Sequence, residues 1–149
     1  MPCVISETVL VLAGPFDERL DAGRVAGAIG RGLTASGHLT CDPCPLGQEP
    51  CAPSTDASEP LDEMDFDRRM RAARALVIAC GRLNDCALLG SIAFEAATRA
   101  RQGGVPAYAI VAHDELDRFE ARIVDLQVIL EAGTGRALTA AGRELSRLI

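Results

Sequence analysis

Lysine is absent from this 149-residue chain, so all fifteen cationic side chains are arginine. That absence excludes a Walker-type phosphate loop, a Schiff-base mechanism and any lysine general base. Tryptophan is also absent and tyrosine occurs once, which leaves no aromatic platform on which nucleobases would stack. The formal charge of −6 runs against the clustered cations that a phosphate backbone needs, so nucleic acid is not expected as a partner. No apolar run approaches the ~18 residues of a membrane span. Met1 to Thr8 does not read as a signal peptide, so a cytoplasmic location without membrane contact is expected.

What remains is globular composition, 48% apolar and 24% charged. The length is close to that of one domain, so a single domain over residues 1–149 is expected. Six cysteines (Cys3, Cys41, Cys44, Cys51, Cys80, Cys86) without an export signal read as reduced thiols, not as a disulfide framework.

The patterning alternates. Thr8 to Ala13 is an apolar run ending in Gly14-Pro15, as suits a strand covered on both faces. Asp21 can cap a helix carrying Val25, Ile29 and Leu33, with Gly37 placed to terminate it. A weak strand follows at Leu39 to Cys41. Pro43, Pro45, Pro50, Pro53 and Pro60 make residues 42–61 a loop through which neither helix nor central strand is expected to run. Six acids between Asp56 and Asp67, followed by Arg68, Arg69, Arg71 and Arg74, suit the dipole of a helix at about residues 62–73. Ala75 to Cys80 reads as a buried strand. Leu88 to Ala100 reads as a helix stopped by Gly103-Gly104, and Val105 to Ala112 as a strand. A polar helix at Asp114 to Arg122, a strand at Leu126 to Glu131 and a last helix through Leu138, Ala141, Leu145 and Leu148 complete the pattern. Such alternation gives a parallel sheet with helices on both faces.

In open sheets of this kind ligands bind beyond the carboxyl ends of the strands. The segments there supply the candidates. Gly14 ends the first strand, with Asp17 and Glu18 close behind. Gly133, Thr134, Gly135 and Arg136 form a strand-to-helix turn whose free amides would attract an anion; the plain alternative is an ordinary turn. Arg82, with Asn84 and Asp85, can clamp a carboxylate or phosphate, or else pair with Asp85 or an acid of residues 114–120. His113 stands where a base would act, though a solvent-facing histidine fits the same position. Cys41 and Cys44 have zinc-ligand spacing, with Cys80 and Cys86 further on, yet one such pair is half a site.

Two stretches also carry a resemblance. Val9 to Leu33 (VLVLAGPFDERLDAGRVAGAIGRGL) resembles the amino terminus of bacterial glycerate kinases of the glycerate 2-kinase type. Leu76 to Ala112 resembles a later part of them, through Gly81-Arg82-Leu83, the Leu88-x-Gly90 step and Gly103-Gly104-Val105-Pro106. The carboxyl-terminal strand and helix fit as well. The resemblance implies an α/β fold, a three-layer Rossmann-like (doubly wound) and mainly parallel sheet of about five strands. In that family a second domain is inserted into the Rossmann-like one; here the stretch from Cys44 to Asp67, with the proline-rich acidic loop 42–61, stands in its place.

Chemical positions depart from the family. Its Pro-Asp-Ser-Phe-Lys-Gly reads here Ala13-Gly14-Pro15-Phe16-Asp17-Glu18, without the lysine. Its Asp-Gly-Gly-Glu-Gly-Thr has shrunk to Leu46-Gly47-Gln48-Glu49-Pro50. Its Gly-Glu-Gly-Arg-Leu-Asp reads Ala79-Cys80-Gly81-Arg82-Leu83-Asn84, and its Gln-Thr-Leu-x-Gly-Lys reads Cys86-Ala87-Leu88-Leu89-Gly90-Ser91. Phosphoryl transfer rests on positioning and cationic stabilisation, and most of that is missing. The expectation is a glycerate kinase-like protein without kinase activity, binding a small carboxylate or phosphate-bearing ligand. A homodimer or a partner protein is expected over the crevice. No cofactor is expected, with ATP and Mg2+ relevant only if the family's activity persists. Two other readings stand beside it. One is an enzyme of changed chemistry in the same crevice, using Asp17, Glu18, Arg82, Asn84, Asp85 or His113. The other is a thiol or metal site at Cys41, Cys44, Cys80 and Cys86.

Overall fold

The computed structural model describes residues 6–149, so Cys3 and most of the stretch read for a leader lie outside the described residues. The chain runs β1 (Thr8–Ala13), α1 (Ala22–Thr34), β2 (Thr40–Pro45), α2 (Ser58–Glu63), α3 (Phe66–Arg71) and β3 (Ala75–Leu83). A 3-10 turn at Asp85–Leu88 leads to α4 (Ile92–Gln102), β4 (Ala107–Asp114), α5 (Arg118–Val124), β5 (Ile129–Glu131) and α6 (Gly135–Leu148). The five strands form one sheet in the order β2-β1-β3-β4-β5, parallel throughout. This is the doubly wound, Rossmann-like arrangement.

Strand alternation divides the core into two layers. Val9, Val11, Ala13, Val77, Ala79 and Ile110 face α1 and α6, where Ile29, Leu33, Leu138 and Leu145 are buried. Leu10, Leu12, Leu76, Ile78, Cys80 and Val111 face the other way, against Leu61, Phe66, Met70, Ile92 and Ala96. Burying each of the larger side chains contributes roughly 1.5–3 kcal/mol, so the central strands anchor the fold. Asp21 caps α1 by accepting from the Arg24 N–H at 2.8 Å, and Gly37 takes a left-handed φ of 82° just past its end. Among the described residues, no helix is long and apolar enough to cross a membrane.

Four expectations need correction. β2 continues to Pro45, inside the stretch expected to be loop. It can do so because it is an edge strand. The Thr40 N–H donates to Glu7 and the Leu46 N–H to Ala13, so the even-numbered residues face β1 and Pro43 and Pro45 turn their missing N–H outward.

The helix expected at 62–73 is two helices. α2 begins within the proline-rich stretch, with Pro60 in its first turn where no amide donor is required. Asp65, at a left-handed φ of 57°, then breaks the chain before α3.

α4 starts later than Leu88. Gly90 adopts φ 88°, and Ser91 caps the helix by accepting from the Phe94 N–H. Leu88 and Leu89 are left in and beside the 3-10 turn, with Leu89 exposed.

Finally, the thiols are not all free: Cys51 is bonded to Cys80 across 29 residues of chain. Cys51 is brought there by the segment that follows β2, a tertiary placement that cysteine spacing does not encode.

One cation organises the acidic segment. Arg99 of α4 binds Asp62 at 2.9 Å, Asp67 at 3.2 Å and Glu95 at 3.0 Å, while remaining 15% exposed. It joins α2 and α3 to the layer beneath them. Arg69 joins α3 to β2 through two bonds to Asp42, at 3.0 and 2.5 Å.

Candidate functional site

Because the chain leaves β1 to one side for β2 and returns on the other for β3, a crevice opens beyond the carboxyl ends of β1 and β3. A cleft of about 610 Å³ lies there, lined by Phe16, Asp17, Glu49, Gly81, Arg82, Ala112, His113, Gly133 and Thr134. A second hollow, about 240 Å³, sits near Gly104 to Ala107 at the amino end of β4 and gathers Arg101, Asp125 and Gln127. The first brings together strand ends, both signs of charge and a histidine, so it is the candidate site.

Arg82 and His113 are register partners on β3 and β4, so their side chains leave the sheet on the same face. Arg82 is held by Glu115, Nε to carboxylate 3.1 Å, with both side chains well exposed. An acid of the 114–120 segment thus takes the ion pair. Among the described residues the terminal amino groups of Arg82 make no hydrogen bond and remain available to an anion. His113 is exposed at the cleft wall.

The two acids in the cleft are already engaged. One Asp17 oxygen accepts from the Arg19 and Leu20 amides, each at 2.8 Å, which fixes the turn after β1. Glu49 accepts from the Cys51 N–H at 3.2 Å and the Gly81 N–H at 3.4 Å. Burial pushes the Glu49 carboxyl above its ordinary range, while those two backbone bonds pull it back.

Several sequence candidates fall elsewhere. Gly14 offers no amide to a ligand: its N–H donates to Ala79 at 2.9 Å, and a Cβ there would stand 2.2 Å from Pro50 Cδ. It permits close approach of the segment carrying Glu49. The Asn84 carboxamide caps the 3-10 turn by accepting from the Cys86 N–H at 3.0 Å. Glu18 and Asp85 are exposed and do not line the cleft. Thr134 lines it, and its hydroxyl caps α6 by accepting from the Ala137 N–H. Gly133 borders the cleft, whereas Gly135 and Arg136 border a separate groove with Arg31 and Arg143.

The expected cysteine set does not assemble. Cys41 faces α1, close to Gly30, while Cys44 packs in the opposite layer. Three residues apart on a strand, they leave opposite faces, so the zinc-like spacing does not become a chelating pair. Cys86 is exposed and Cys80 is disulfide-bonded. Burial raises the Cys41 and Cys44 thiols to about 11. Sequence reasoning missed Glu49 and Cys51. The available signal was that Glu49 is the only acid between Asp42 and Asp56, directly ahead of Pro50-Cys51.

Strand order and cleft together define a Rossmann-like α/β protein with an open cleft at its topological switch point. No family model matches the chain, and no curated protein matches it. Among solved structures it is similar to a de novo designed Rossmann 2x3 fold protein, at 10% identity over 97% of this chain and 91% of that one, TM-score 0.46. It is also similar to an oxidoreductase from Corynebacterium diphtheriae, at 12% identity over 97% of both chains, TM-score 0.49.

Proposed function

We propose that this chain is a glycerate kinase-like Rossmann domain that no longer transfers phosphate and instead binds a small carboxylate in its switch-point cleft. The observation that carries the reading is the pairing of Arg82 with His113 at the cleft, beside Asp17 and Glu49, whose carboxylates accept backbone N–H bonds. A bidentate guanidinium suits a carboxylate, and Thr134 lines the same cleft. The composition speaks against phosphoryl transfer, which rests on cationic stabilisation of the transferred group, and no lysine exists to supply it. The kinship itself rests on the Val9–Leu33 and Leu76–Ala112 motifs.

Association with a second copy or another protein belongs to the same reading. Leu89, Phe119 and Ile123 are exposed at 69%, 72% and 40%, on and near the 3-10 turn and α5. Exposed apolar side chains of this size favour a covered surface.

Calorimetric titration with glycerate, and an assay of ATP consumption with glycerate and Mg2+, test the proposal. Saturable glycerate binding that weakens at least about 10-fold in Arg82→Ala, without ATP turnover, is expected. ATP turnover that disappears in Arg82→Ala would overturn it.

A further inference from the structure

Glu49, Cys51 and Cys80 place a carboxylate oxygen and two sulfurs within 4.8 Å of one another, and no other group of three such donors does so among the described residues. Each is held by contacts other than the sulfur bond. Cys80 lies within β3, in register with Val111 of β4. Cys51 lies on a strap tied to the start of α4: the Ala93 N–H donates to the Pro50 carbonyl at 2.8 Å, and the Ser54 N–H to the Gly90 carbonyl at 3.2 Å. Pro50 in turn packs over Gly14. Glu49 bridges strap and strand through the Cys51 and Gly81 amides. Opening the sulfur bond therefore leaves two thiols facing each other from a fixed frame, their Cα atoms 6.2 Å apart, with a carboxylate beside them.

The geometry points to a redox-gated site for a soft divalent cation of the zinc class, formed by Cys51, Cys80 and Glu49, closed as the disulfide and opened by reduction. It stands apart from the carboxylate reading and does not depend on it. Two thiolates and one carboxylate are a donor set that zinc accepts in tetrahedral coordination, whereas Mg2+ demands about six hard oxygens. Three protein donors leave one position for water. Of the three, Glu49 is the one that lines the cleft, so the site borders the space in which a small ligand would sit.

The chemistry balances with a dithiol reductant. It delivers two electrons and two protons, the Cys51–Cys80 bond breaks, two thiols form, and the reductant departs as its own disulfide. Zinc then displaces both thiol protons to solvent. Cys41, Cys44 and Cys86 belong to no such group of three donors among the described residues.

Equilibrium dialysis of the full chain against zinc, before and after reduction by a dithiol, is the test, with cobalt as the spectroscopic probe. Oxidised protein is expected to take up no stoichiometric zinc. Reduced protein should take up one ion per chain, and its cobalt form should show thiolate-to-metal charge-transfer absorption. Cys51→Ser and Cys80→Ser should lower affinity more than about 100-fold, and Glu49→Gln about 10-fold. Cys86→Ser and the double variant Cys41→Ser/Cys44→Ser should bind as the wild type does. Circular dichroism separates loss of the site from loss of the fold; should Cys80→Ser not fold, Cys51→Ser and Glu49→Gln carry the decision. Reduced, folded protein that takes up no zinc overturns the site. So does uptake undiminished in both Cys51→Ser and Glu49→Gln. Glycerate titration of the same samples keeps the two proposals distinct, because zinc uptake without glycerate binding overturns the carboxylate reading alone.

Discussion

A Cβ placed on Gly32 would stand 2.0 Å from the carbonyl oxygen of Thr139, and one on Gly142 would stand 2.4 Å from that of Ile29. α1 and α6 thus cross backbone to backbone at two reciprocal glycines, and no flexible side chain is available to move aside. Gly32→Ala is expected to destabilise by roughly 1–3 kcal/mol through this collision. That outweighs the ~1 kcal/mol by which alanine favours a helix. Gly27→Ala is the control, since its Cβ would meet only the end of Arg31 at 3.7 Å, and it should be neutral or stabilising. Urea denaturation of both variants decides the matter; a more stable Gly32→Ala contradicts the crossing.

Arg99 should behave as a hub. Its replacement by methionine keeps apolar bulk but leaves Asp62, Asp67 and Glu95 without their shared cation. A loss of roughly 1–3 kcal/mol at neutral pH is expected. The loss should shrink in about 1 M salt, where the exposed carboxylates are screened from one another. Arg99→Lys should recover only part of it, because a single ammonium cannot satisfy three acceptors in the guanidinium's fork geometry. Equal destabilisation at low and high salt would show that packing, not charge, sets the cost.

The free thiols should react in a fixed order. Iodoacetamide near neutral pH should label exposed Cys86 first, with Cys41 and Cys44 lagging because burial holds them protonated up to about 11. The stability consequence has a definite sign. A thiol raised from 9.0 to about 11 binds more protons folded than unfolded within that window, so its contribution is intact below pH 9 and is lost as pH climbs. Cys44→Ala should therefore lose less stability than the wild type between those pH values. Mass-mapped labelling and alkaline denaturation check the two halves; preferential labelling of Cys44 at neutral pH refutes both.

Glu115 restrains Arg82 without contributing much to the fold. The pair is exposed, at 62% and 46%, so Glu115→Gln should change stability by less than about 1 kcal/mol. It should nevertheless tighten glycerate binding several-fold by releasing the guanidinium from a competing carboxylate. Paired calorimetry and thermal unfolding read the two effects. Weaker binding in Glu115→Gln would place Glu115 among the groups that position Arg82 productively.

Much of the architecture was legible in the chain. The apolar run of β1, the Asp21 cap, the Gly37 terminator and the alternation of strands with helices are local signals, and each survives in the fold. Arg82 reached the cleft and found its acid within residues 114–120. What escaped depends on neighbours remote in sequence. Proline patterns exclude a central strand, but whether β2 is central or peripheral is fixed only when the sheet assembles. Gly14 stood at the right strand end to offer an amide, yet Pro50 covers it. The meeting of Cys51 with Cys80 needs the strap to fold back across β3, and nothing in a count of intervening residues announces that.

The outward-facing imides of Pro43 and Pro45 also bear on how copies of this protein can meet. A foreign strand laid against β2 would find no N–H donors at those two residues, so lateral extension of the sheet is discouraged along that border. A second copy would have to meet the helical surfaces or the short strand at the opposite rim.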